Sequence, residues 1–148
     1  MNTLLQWLVG SVTSTWIREA AVQQVHMSVG LLLILHHGLH KLRDGLAWRA
    51  GRKAHWPFQD EIAAAGFPYP AANAWFGTMA QLGGGACLAL GLLTRPAALL
   101  VCGTLAGAIY TTRVLKKDSQ MAEVYLMLAL AAAGLGPGPW TLDALLFR

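Results

Sequence analysis

From Ala71 to Thr94 the chain reads AANAWFGTMAQLGGGACLALGLLT, without a single Lys, Arg, Asp or Glu. A helix of about 20 mostly apolar residues crosses the hydrocarbon core of a bilayer. This stretch is long enough, and three others resemble it. Ala20–His40, Pro96–Thr112 and Val124–Leu142 also lack those four residue types. In a chain of 148 residues they leave no room for a separate soluble domain. The sequence predicts an all-α, transmembrane four-helix bundle, one membrane-embedded domain over 1–148. Its spans fall at about 22–41, 71–93, 97–112 and 121–135. Thr94-Arg95-Pro96 reads as a tight turn between the second and third spans. Gly136-Pro137-Gly138-Pro139 ends the fourth.

Composition agrees. Apolar residues make up 55% of the chain and charged residues 12%, about half the share usual in soluble domains. The net charge is +4, and the basic residues border apolar stretches. That placement fits anionic lipid headgroups and excludes nucleic acid as the partner of choice. Met1–Ser14 has no basic n-region, so a secretory signal is not expected. Leu4, Leu5, Leu8, Val12 and Trp16 fall on one side of a helix, which makes residues 1–18 an interfacial segment. Four spans put both termini on one face, with Arg18, Arg95 and Arg148. Lys41, Arg43, Arg49, Arg52, Lys53, Arg113, Lys116 and Lys117 lie on the other. The positive-inside rule then places the larger basic set in the cytoplasm and the termini outside. The expected location is the cell membrane, multi-pass, and the inner membrane if the source is bacterial.

The first loop, Leu42–Pro70, is long and contains a short helix near Phe58–Ala65. Pro57 suits a first turn, Asp60 and Glu61 suit the positive end of the dipole, and Gly66 and Pro68 stop it. Trp48, Trp56, Phe67 and Tyr69 flank it as an interfacial aromatic belt, an arrangement compatible with a lid over one mouth of the bundle.

The polar groups inside the apolar stretches are the candidates for chemistry. His36, His37, His40 and Lys41 close the first stretch, and His26 and Gly30 share a stripe with His37 and Lys41. That stripe should face the other helices. His36 and His40, four residues apart, are the weak candidates for a metal or haem. No Cys or second His cluster completes such a site. Proton handling or quinone contact is the stronger reading, because neutral His both donates and accepts hydrogen bonds. Glu123 opens the fourth span and Arg113 closes the third, at the same face as His37, His40 and Lys41. The alternative for that set is ordinary helix-end charge. Gln81 lies mid-span and needs a partner. Gly83-Gly84-Gly85, Gly103 and Gly107 permit close helix packing and could also admit a flat ligand. Cys87 and Cys102 fall at similar depth, and small apolar packing is the favoured reading over a bridge.

Gly30, His37-Gly38-x-x-Lys41-Leu42, Gly66-Phe67-Pro68, Gly91-Leu92-Leu93-Thr94-Arg95, Glu123 and Gly136-Pro137-Gly138 with Leu142-Asp143 together resemble the DoxX family of small four-helix membrane proteins. The resemblance runs from about His26 to Asp143. It implies a subunit or membrane partner of a redox or sulfur-handling enzyme, since some members belong to thiosulfate:quinone oxidoreductase. Two positions depart from the pattern: His26 stands where Arg is frequent, and Gln81 where Glu is frequent. Three functions stay open. The first is a redox-linked membrane subunit holding a quinone, possessing an apolar cavity edged by His37, Lys41 and Glu123. The second is a non-catalytic anchor that docks a soluble enzyme or a further membrane subunit through the basic loop. The weakest is a small-solute transporter.

Overall fold

The computed structural model describes residues 15–138 and 140–146. Among them the regular structure is helical and no strand occurs. Helix α1 spans Thr15–Leu32 and runs through a π-helical turn, Leu33–Gly38, into α2, Leu39–Arg49. Then come α3, Pro57–Ala64; α4, Pro70–Leu90; α5, Thr94–Val114; α6, Gln120–Leu135; and a short α7, Leu142–Leu146. The interfacial segment expected over 1–18 lies almost wholly outside the described residues; only its end, from Thr15, belongs to α1.

The first helical rod does not stop at Lys41. It continues to Arg49, so the loop is shorter than the sequence suggested. The helix ends only before Gly51, whose φ of 70° sits in the left-handed region open to glycine. Gly45, inside α2, does not break it; its missing side chain makes room for the Trp56 ring. The turn between the second and third long helices is also displaced. It is Gly91-Leu92-Leu93, not Thr94-Arg95-Pro96, which already belongs to α5. Gly91 at φ 65° closes α4 as its N–H reaches the Leu88 carbonyl and the Leu92 N–H reaches that of Cys87.

The four long segments pack in a ring: α1 on α4, α4 on α5, α5 on α6, and α6 back on α1. The interior is built from small groups. Ala97, Ala98, Ala129 and Ala132 are buried beside Val29, Leu33, Leu88 and Val101. Gly30 and Gly85 bring α1 and α4 into backbone contact; a Cβ on Gly85 would lie 2.9 Å from the Gly30 carbonyl oxygen. Gly84 makes room for a side chain instead: a Cβ there would lie 2.8 Å from Val101 Cγ2 of α5. Cys102 is buried in this core with Cys87 packed against it, and both thiols are free. Three threonines satisfy themselves locally: Thr78, Thr111 and Thr112 donate to carbonyls four residues back.

Large apolar side chains lie outside instead. Leu35, Phe76, Leu99, Val124 and Met127 are each more than half exposed. Small residues inside and large apolar residues outside reverse the usual soluble pattern. By length and composition one described helix, Thr94–Val114, is long and apolar enough to cross a membrane, and the apolar Gln120–Leu135 is shorter. The other two expected spans fall short of that test as helices. The first carries Arg18, Glu19 and glutamines within α1, and the second dilutes its apolar content with glycine, Asn73 and Gln81.

Candidate functional site

Helix α3 lies across α4, near the end of the bundle where α2 emerges. Pro57 starts α3 and Ile62 faces inward. Trp56, 1% exposed, anchors the segment before it, packed at tilted and edge-on angles among Trp48, Phe58 and Trp75 with ring centroids 4.9–6.3 Å apart. The aromatic belt is thus largely a packed cluster that fixes α3, not a ring of separate surface anchors.

Between α3, α4 and α5 lies a cavity of about 180 Å³. Phe58, Ile62, Phe67, Phe76, Gly77, Gly103, Gly107 and Ala108 form its apolar wall. Gln81 and Thr104 supply polar groups, as do Asn73 and Thr111. A Cβ on Gly103 or Gly107 would meet nothing within 4 Å, so these two glycines do not pack helices but leave space. A shallow groove along Ala65–Pro68 and Ala106–Tyr110 shares Phe67 and Gly107 with the cavity and continues toward the surface. Phe67 meets Tyr110 edge-on there, at 5.4 Å.

Lys41 reaches this site from behind. Its Nζ donates to Gln81 Oε1 at 3.1 Å and sits 3.8 Å above the centre of the Phe58 ring. Glu61 of α3 receives a hydrogen bond from Lys117 Nζ at 2.6 Å, which ties α3 to the α5–α6 loop.

The other sequence candidates are distributed around this end. His37 faces α6, edge-on to Tyr125 at 4.9 Å, and its Nε2 is buried without a partner among the described residues. His26 is fully buried and its Nε2 lies 3.4 Å from the Ala132 carbonyl, also on α6. Gly30 and Lys41, by contrast, face α4. The stripe therefore lies along the seam between two neighbours. His36 and His40 are exposed, and no cluster of metal-ligating side chains occurs among the described residues. Glu123 Oε1 accepts from Arg113 at 2.9 Å and from the Ser119 hydroxyl at 2.7 Å. It is thereby occupied at the α5–α6 loop, and the group that meets Lys41 is Gln81. His26 and Gln81 have separate partners, Ala132 and Lys41.

Sequence reasoning gave Asp143 no role beyond its place in a motif. Its carboxylate accepts from the Leu93 and Thr94 N–H groups at 2.7 and 2.8 Å, and from the Thr94 hydroxyl at 2.9 Å. Its own N–H donates to the Gly91 carbonyl at 2.9 Å. Asp143 thus caps α5 from the far end of the chain and supports Leu93, whose φ of 47° is unusual for a non-glycine residue. Burial works to raise the Asp143 pKa, but the hydrogen bonds from Thr94 and Leu93 outweigh it and hold the carboxyl below its ordinary value.

A small all-helical protein, apolar outside and tightly packed through glycine and alanine inside, is the class these features define. A family model described as DoxX matches residues 27–113, more than half of the chain, and the chain belongs to the DoxX family. Membership points to a membrane protein. The match contains Lys41, Gln81, the cavity and α3, while Glu123 and the Gly136–Asp143 segment lie beyond it. No curated protein and no solved structure matches the chain.

Proposed function

We propose that the chain is a multi-pass membrane protein and a redox-linked subunit that holds a quinone-class ligand between α3, α4 and α5. The cavity carries this reading: a mostly apolar slot with Gln81 among its few polar groups, widened by Gly103 and Gly107. Its volume of about 180 Å³ is below the roughly 300–1,000 Å³ of drug-sized sites, so it suits a single substituted ring. An apolar tail would leave along the groove past Phe67 and Gly107. Exposed Leu35, Phe76, Leu99 and Met127, one on each long segment, support contact with lipid on all sides. The four long segments would cross the bilayer as one domain, with the Lys41–Lys53 and Arg113–Lys117 end in the cytoplasm and the termini outside.

The proposed ligand is tested by purification in mild detergent, solvent extraction and mass spectrometry. Wild type should yield quinone in a fixed molar ratio, and Gly107→Leu, which fills the slot, should yield little. Equal quinone in both, or none in wild type, overturns the reading. A second role is supported by a shallow groove lined by His40, Arg43, Arg52 and Lys53 together with Asp44, which pairs with Lys53 and leaves the groove net basic. It offers a docking surface for an acidic soluble enzyme, and the two roles are compatible in one subunit.

A further inference from the structure

The Lys41–Gln81 contact is more specific than its length implies. An ammonium has three donors and no acceptor. The oxygen of the Gln81 amide must therefore be the atom turned toward Lys41, which fixes which end of the amide faces the other way. Gln81 is 3% exposed and lines the cavity. With Oε1 committed to Lys41, the group it offers the cavity is the Nε2 donor. Lys41 is itself held by the Phe58 ring, which lies between it and the slot and lines the same cavity. Lys41 thus sits behind the wall and sets the direction of a polar group within it.

We propose that Lys41 is a positioning residue that locks the Gln81 amide with its N–H₂ donor toward the cavity, so that the site selects flat ligands presenting an acceptor oxygen over ring isosteres lacking one. This rests on the cavity being a ligand site, as proposed above, and adds the chemistry by which it discriminates. A carbonyl oxygen beside Gln81 would accept from its Nε2 donor, for which no hydrogen bond occurs among the described residues. A hydrocarbon ring of the same shape leaves that donor unpaired, and an unpaired buried donor is costly.

Duroquinone and hexamethylbenzene share shape and differ in carrying carbonyl oxygens or methyl groups, and neither offers a ring hydrogen to the cysteine thiols. Their dissociation constants are measured by equilibrium dialysis of the full chain in phosphatidylcholine nanodiscs against empty nanodiscs. Wild type should bind duroquinone about fivefold more tightly than hexamethylbenzene, the worth of one net hydrogen bond. The ratio within one variant does not depend on how much of it folds. In Gln81→Met the ratio should fall to about one. Lys41→Met, which frees the amide to turn either end to the cavity, should lower the ratio part of the way toward one, and Lys41→Arg, again only a donor, should restore the preference. A wild-type ratio near one, or a Lys41→Met ratio equal to wild type, overturns the positioning role and leaves the cavity as an undiscriminating site. Binding of neither probe by wild type overturns the ligand-holding reading itself.

Discussion

Helices α4 and α5 meet differently at their two ends. Near the Gly91 turn, Gly84 lies against Val101, Gly85 against Gly30 of α1, and Thr141 packs on Gly91. Asp143 then bridges the turn to the end of the chain. At the other end, Gly103 and Gly107 face open space, and α3 covers the gap without filling it. One residue type serves opposite purposes along a single pair of helices. Glycine lets backbones touch where a neighbour moves in, and leaves a hole where the neighbour is held away. Here aromatic side chains, Phe58 and Phe67, do the holding. The closed end should therefore govern stability and the open end ligand occupancy.

Gly30→Leu should give the largest effect. Even a Cβ would meet the Gly85 carbonyl and the Ala89 backbone, and a leucine must push α1 off α4. Overpacking of this kind costs typically about 1–3 kcal/mol, and backbone neighbours put this site at about 3. Thermal melts in detergent check it; an unchanged Tm would mean that the closed end is loose after all.

Asp143→Ala should come next. Removal of a helix cap costs about 1 kcal/mol, and here it also releases α7 from the turn. The same contact sets a pH dependence. The folded Asp143 carboxyl is held below its ordinary value of 3.8, so its stabilisation is complete above that value. It diminishes as pH falls below 3.8 and is lost once pH passes the lowered folded value. Melting wild type and Asp143→Ala in parallel should show their difference narrowing over that acid range. A constant difference would rule out the ionised cap.

Gly107→Ala should act in the opposite direction and more weakly. The added methyl meets nothing within 4 Å, and alanine is better than glycine in a helix by up to about 1 kcal/mol. A Tm that falls would show the open end to be packed. Glu123→Gln should change least. The carboxylate is 39% exposed and its partner Arg113 68%, and exposed ion pairs contribute little. A clear loss of Tm would make this pair a closure of the open end and blur the contrast between the two ends.

Some of this was legible in the sequence. Helix α3 was readable because Pro57, Asp60 and Gly66 are local signals, and the structure places it at Pro57–Ala64. The ends of α6 were readable for the same reason, from Gly136 and the polar residues before Met121. The continuation of α2 to Arg49 was hidden because a charged helix end and a polar loop have similar composition. Partners were harder still. Lys41 with Gln81 and Asp143 with Thr94 are separated by 40 and 49 residues, and no local pattern encodes such pairs. Gly30 and Gly107 look alike as letters; only the path of neighbouring chain tells contact from vacancy.

The π-helical turn at Leu33–Gly38 has a consequence for comparing chains. The Leu39 N–H reaches back to the Ile34 carbonyl, five residues away instead of four, so this stretch holds one residue more than an α-helix of the same course. A relative without the turn keeps its counterparts of Gly30 and Lys41 in place only with one residue fewer between them. Aligned without a gap there, it would set Lys41 against a position about 100° around the helix, and the lysine would look lost where it had merely been miscounted.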